Sequence, residues 1–141
     1  MKKIKFTIPG PPQGKGRPRF SRRGKFVTTF TPDKTILYEN LVRMEYQRQC
    51  GTERFGDDVP LKMRVTAYFA IPKSASKTKR ADMINGAIMP TKKPDADNVL
   101  KIVADSLNQY AYPDDVQIVF AAVTKIYDLE PRVEVMLESV V

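Results

Sequence analysis

Apolar and polar residues alternate along several stretches of this chain and recur at helical spacing along two others. Lys3-Ile4-Lys5-Phe6-Thr7-Ile8 has the period of a half-buried strand, and Pro9-Gly10-Pro11-Pro12 ends it. Leu61, Met63, Val65, Ala67, Phe69 and Ile71 alternate with Lys62, Arg64, Thr66, Tyr68 and Ala70, the cleanest strand signal in the sequence. Val116, Ile118, Phe120 and Ala122 predict a strand over 116–126. Val133, Val135 and Leu137 alternate with Glu134, Met136 and Glu138 in a last strand, expected to be an antiparallel neighbour. Residues 25–30 predict a short strand or hairpin arm. Leu37, Leu41 and Met44, at spacings of four and three, predict an amphipathic helix over 34–49, entered through Asp33 as its cap and stopped by Gly51. A second helix, over 98–108, takes Asp97 as N-cap and buries Leu100, Val103, Ala104 and Leu107. Residues 73–93 show no period, which predicts a basic mobile loop; a loop of that length in a compact domain is usually functional or disordered. The element order implies one α/β (α+β) domain over 1–141, a mixed, mostly antiparallel sheet of about four strands with flanking helices.

Composition narrows the chemistry. The 141 residues contain no histidine, which excludes a histidine base, nucleophile or metal ligand. The single cysteine, Cys50, excludes an internal disulfide and a thiolate zinc site, fits a reducing compartment, and reads as a small, partly buried residue. No stretch approaches the roughly 20 apolar residues of a membrane span, and the basic N-terminus lacks the apolar run of a signal peptide. The expectation is a soluble, cytoplasmic protein without a membrane partner.

The net charge of +8 is unevenly spread. Residues 1–25 hold nine lysines and arginines and no acid, and residues 73–93 hold six against the one acid Asp82. Two such segments suit a polyanion, with Lys15, Arg17, Arg19, Arg22, Arg23, Lys77, Lys79, Arg80, Lys92 and Lys93 as candidate DNA contacts. Within Gly14-Lys15-Gly16-Arg17-Pro18-Arg19, small and rigid residues let backbone approach a ligand while arginine forks match phosphate oxygens.

Against this background five of the sixteen acids, all aspartates, fall within residues 95–115. Asp95 and Asp97 stand at a helix entry, where a bend can turn both towards one cation, and Asp115 opens the following strand. Three carboxylates beside a basic groove suit Mg²⁺ or Mn²⁺, which keeps waters and takes phosphate oxygens as further ligands. The chemistry expected is phosphodiester hydrolysis by metal-activated water, with Lys101 neutralising a non-bridging oxygen. Each residue also has a plainer role: Asp97 as a cap with Lys101 as its i,i+4 salt-bridge partner, Asp105 as a partner of Lys101 from the next turn, Asp114 and Asp115 as turn residues.

The spacing Asp95-x-Asp97-Asn98-x-x-Lys101-x-x-x-Asp105-x-Leu107, followed by Asp114-Asp115-x-Gln117, closely resembles the signature of RusA-family Holliday junction resolvases. The opening Pro9-Gly10-Pro11-Pro12 is similar to that family's N-terminus. The resemblance implies a RusA-like endonuclease domain, homodimeric and Mg²⁺-dependent, that nicks opposed strands of a four-way DNA junction in recombination and repair. It places metal-binding aspartates at Asp95, Asp97 and Asp115 and the catalytic lysine at Lys101. Asn98, Asp105 and Asp114 become supporting residues. Two departures stand out: Lys93-Pro94 where many members have two arginines, and Gln109-Tyr110-Ala111-Tyr112 in place of a glycine-containing turn. The competing readings are a non-catalytic basic module that binds nucleic acid, and a nuclease for another branched DNA.

Overall fold

A computed structural model describes residues 2–17 and 19–140. Its elements are β1 (Lys3–Pro9), the hairpin β2 (Arg19–Arg23) and β3 (Phe26–Phe30), α1 (Asp33–Cys50), β4 (Leu61–Ala70), α2 (Lys77–Ile84), α3 (Ala96–Ser106), β5 (Ile118–Asp128) and β6 (Arg132–Ser139). A single 3₁₀ turn, Asp115–Gln117, leads into β5. The main sheet has the order β1-β6-β4-β5, so the closing strand sits between the first and the fourth. β6 runs antiparallel to β1 and β4, whereas β4 and β5 are parallel. A parallel neighbour requires a long crossover, and here that crossover carries α2 and α3.

The alternation in the sequence becomes the two faces of the sheet. Ile4, Phe6, Ile8, Met63, Val65, Ala67, Phe69, Val133, Val135 and Leu137 are all buried. α1 packs on β1 and on α3, and α3 packs on β5, so both helices close the same core. Each large apolar side chain withdrawn from water in this way contributes about 1.5–3 kcal/mol.

Four expectations change. The buried stripe of α1 is Thr35, Tyr38, Val42, Glu45 and Tyr46, while Leu37 is 68% and Met44 56% exposed. Both stripes have helical spacing. The larger aromatics fix the phase, with Tyr46 meeting the Phe6 ring edge-on at 5.4 Å and donating its hydroxyl to the Glu53 carbonyl. The helix begins one residue earlier than expected: Pro32 is the cap, its carbonyl accepting from the Thr35 N–H, and Asp33 lies in the first turn, where a negative charge suits the helix dipole. Segment 73–93 is not structureless, because Lys77–Ile84 forms α2, capped by Ser76 accepting from the Lys79 N–H. That helix buries no residue and so presents no apolar period to read. The strand expected at 116 begins at Ile118, after the 3₁₀ turn.

Cys50 is partly buried, and burial, then Glu53, pushes its thiol above the ordinary range. This is the environment of an inert cysteine. No helix among the described residues is long and apolar enough to cross a membrane.

Candidate active site

α3 places most of the candidate residues. Val99, Ile102, Val103 and Ser106 are buried on one side, so Asp97, Lys101 and Asp105, each four residues on, follow one another along the outer side. The helix starts earlier than the sequence suggests, with Asp95 as the N-cap residue and Asp97 in the first turn. The Asp95 side chain makes no capping bond; its Oδ1 accepts from the Asn98 amide at 2.7 Å. Neither aspartate is therefore consumed by closing the helix end.

Asp115 reaches the same place from the opposite direction. Tyr112 is fully buried and donates its hydroxyl to the Ala104 carbonyl at 2.8 Å, which anchors the returning chain on α3. Asp114 caps the 3₁₀ turn through the Val116 N–H, and Gln117 donates to the Gly56 and Val59 carbonyls. The Asp115 N–H donates to Asn108 Oδ1 at 2.9 Å. The left-handed backbone of the intervening turn falls on Gln109, at φ +72°, where glycine would be unstrained. Its amide donates to the Pro113 carbonyl at 2.7 Å, holding the turn without a glycine.

The outcome is a cleft of about 360 Å³ lined by Asp97, Lys101, Asp105 and Asp115, with Leu100, Ala104, Ile118 and Ala121 as its apolar walls. Burial, followed by the neighbouring Asp114 and Asp105, pushes the Asp115 carboxyl above its ordinary range. Asp95 moves the other way, held down first by the adjacent Asp97 side chain and then by the Asn98 amide. Lys101 is exposed and belongs to none of the ion pairs among the described residues. The i,i+4 pair with Asp105 is not formed.

Asp95 lines a second, wider cleft of about 820 Å³, with Gly14, Lys15, Arg17, Lys93 and Asn98. The two clefts thus meet at the start of α3. Among the described residues no group of three acids is close enough to make a ready-made metal cage. Mg²⁺ does not need one, since it is commonly held by one or two carboxylates and completed by water and substrate phosphate. Asp97 and Asp115 line one cleft and could supply two such oxygen donors, and a cation there would offset both the burial and the neighbouring acids that raise the Asp115 carboxyl.

The candidate DNA contacts separate into groups. Arg17 and Lys93 are exposed beside Asp95. Lys77 and Lys79 are exposed on α2, and Arg80 is half-buried there. Arg22 is exposed on β2, whereas the side chains of Arg19 and Arg23 lie outside the described set. Lys92 sits 5.8 Å from the Tyr127 ring. Lys15 is instead engaged by acids, 2.9 Å from Glu39 and 3.2 Å from Asp105.

One cation escaped the sequence reading. Lys125 on β5 donates to the Lys92 carbonyl at 2.7 Å, and its charge helps to lower Asp95. No local signal marks it: the register that sets it beside buried Ala67, a position that seldom takes lysine, exists only once the sheet is assembled.

The loop before β2 is fitted to this site by its glycines. Gly14 lies so close to α3 that an added Cβ would stand 3.1 Å from both the Asn98 and the Pro94 Cβ atoms. On Gly16 a Cβ would stand 2.5 Å from Thr35 Oγ1, which instead accepts from the Gly16 N–H at 3.0 Å. Gly16→Ala should therefore destabilise the fold by about 1–3 kcal/mol, the usual penalty for overpacking. Urea unfolding monitored by circular dichroism measures this, and an unchanged midpoint would mean that the loop stands away from α1.

An α+β domain with a carboxylate cleft, an unpaired lysine inside it and basic loops around it belongs to the class of nucleic-acid-cleaving enzymes. Comparison with known families makes this specific. Residues 9–138 match the family described as Endodeoxyribonuclease RusA, and the chain belongs to that family. It is an endodeoxyribonuclease. The chain is 41% identical over 140 residues to the Bacillus subtilis (strain 168) protein named "Uncharacterized protein YqaN", covering 97% of this chain and 96% of the relative. It is also 32% identical over 89 residues to "Crossover junction endodeoxyribonuclease rusA" of Lactococcus phage r1t, covering 62% of this chain and 61% of that protein.

Proposed function

We propose that this endonuclease is a Mg²⁺-dependent, structure-selective enzyme that resolves four-way DNA junctions by paired nicks in opposed strands, in recombination and repair in the cytoplasm. The observation that carries this is the shared cleft of Asp97, Asp115 and Lys101, in which the lysine forms no ion pair among the described residues. Asp97 and Asp115 would hold the cation, with Asp95 joining from the neighbouring cleft through its contact with Asp97. Mn²⁺ should substitute, because the donors are hard oxygens. When bound, the metal supplies an acidified water and neutralises charge on the attacked phosphate.

The chain's own residues do the rest. Lys101 donates to a non-bridging phosphate oxygen and holds the phosphodiester against the two carboxylates. Asn98 fixes the Asp95 carboxylate, and Asp114 fixes the turn that presents Asp115. Arg17, Lys93 and the exposed lysines of α2 offset the repulsion between acids and DNA. The remaining basic side chains of residues 73–93 extend that surface, and the segment's movement onto the DNA would close the groove. A symmetric homodimer would present two such clefts to the two equivalent strands of a junction.

The test uses a labelled four-way junction and a linear duplex of the same sequence, each with Mg²⁺ or with EDTA. Cutting of the junction in Mg²⁺, with the duplex and the EDTA samples intact, is the expected result. Binding without cutting in Mg²⁺ and Mn²⁺, over a set of junction sequences, would make the chain a binding module.

A further inference from the structure

Lys15 lies in the most basic segment of the chain, yet its side chain turns inward. Nζ is 2.9 Å from Glu39 Oε2 on α1 and 3.2 Å from Asp105 Oδ2 on α3. The three side chains are only 23%, 12% and 29% exposed, so their attraction is screened less than that of a fully exposed pair. Burial pulls the ammonium down, but the two carboxylates more than offset this and leave it above lysine's ordinary range. The backbone that delivers it is fixed at both sides: the Lys15 N–H donates to the Asn98 carbonyl at 3.1 Å and the Gly16 N–H to Thr35.

Asp105 follows Lys101 by four residues, a separation at which opposite charges on a helix pair readily. Both line the same cleft, and yet Lys101 takes part in no ion pair among the described residues. Of the two acids one helical turn away, Asp105 is already held by Lys15, and Asp97 is engaged with Asp95 at the helix entry.

We infer that Lys15 is a positioning residue: by occupying Asp105 it keeps Lys101 free to meet the scissile phosphate. The inference rests on the proposed role of Lys101 at that phosphate. It removes Lys15 from the DNA contacts and explains why a lysine of the glycine-rich loop is paired with two acids rather than presented to solvent.

Single-turnover cleavage of a four-way junction by Lys15→Met and by Lys15→Met/Asp105→Asn tests it. Lys15→Met should cut on the order of tenfold more slowly, the scale of coupling between charges in one network, while junction Kd stays within about twofold. The double variant should regain most of the rate, because the amide that replaces the Asp105 carboxylate carries no charge to hold Lys101. Both variants leave Glu39 equally unpartnered, so any loss of stability is common to them. A raised Kd with a salt slope reduced by about one would make Lys15 a DNA contact and overturn the inference. So would a rate and Tm that fall together without recovery in the double variant. Full-rate cutting by Lys101→Ala would overturn the underlying reading instead; a slow Lys101→Ala beside a full-rate Lys15→Met would overturn this inference alone. If Lys15→Met does not fold, ¹⁵N spectra of the wild-type lysine ammonium groups decide. The Lys15 signal should be unmoved by junction DNA while that of Lys101 shifts, and a Lys15 signal that shifts alike would contradict the assignment.

Discussion

Asp97→Asn is expected to slow junction cleavage by on the order of a thousandfold or more, the scale of losing a central electrostatic group, while junction binding survives or tightens. The carboxylate lies in the first turn of α3 and is exposed, so its charge adds to the fold only the helix-dipole contribution of about 0.3–1 kcal/mol. The amide keeps the shape and removes one negative charge that repels phosphate. Loss of binding together with a large fall in Tm would instead show that Asp97 holds the helix end. Single-turnover cleavage, a binding titration in Ca²⁺ and a melting curve separate the two outcomes.

Lys101→Ala should lower the cleavage rate by about a hundredfold with Kd nearly unchanged, because its interaction with the phosphate strengthens as charge develops in the transition state. Its side chain is exposed and unpaired, which leaves stability close to that of the wild type. Lys101→Arg should recover part of the rate, since charge is kept but the geometry of the donor changes. An unchanged rate in Lys101→Ala would reduce this residue to a solvated helix charge. Together the two variants divide the cleft into groups that hold a cation and a group that meets the substrate directly.

The strands were legible because the sheet alternates. Leu61, Met63, Val65, Ala67 and Phe69 point to the core, and Lys62, Arg64, Thr66 and Tyr68 away from it, as their sequence period requires. α1 was legible as a helix but not in its rotation. Leu37-Leu41-Met44 and Tyr38-Val42-Tyr46 are both helical stripes, and only packing against Phe6 and the core decides between them. α2 was hidden because a helix that buries nothing leaves no apolar period. Its local clues were the cap Ser76 and the stop at Asn85-Gly86, where Gly86 takes φ +87°.

The site was legible in its parts and partly in its arrangement. Four-residue spacing correctly placed Asp97, Lys101 and Asp105 on one side of α3, and the structure brings Asp115 to them. The earlier start of the helix moved the cap from Asp97 to Asp95: both acids are good cap residues by type, and only the extended backbone at Asp95, φ −74° and ψ 160°, decides between them. Nothing local could reveal that Lys15 would hold Asp105, because the two residues are far apart in the chain and meet only once α1, α3 and the glycine loop are packed. Lys125 escaped for a related reason: its strand was recognised, but its neighbours across the sheet were not known.

Paired cutting is tested most directly by cleavage of a supercoiled plasmid carrying an extruded cruciform, in Mg²⁺, with the ends of the products mapped. Linear product is expected, formed by two nicks at symmetry-related positions in opposed strands within the lifetime of one complex, and none with Asp97→Asn or in EDTA. Intact or singly nicked circles, with binding to the cruciform confirmed, would contradict paired cutting.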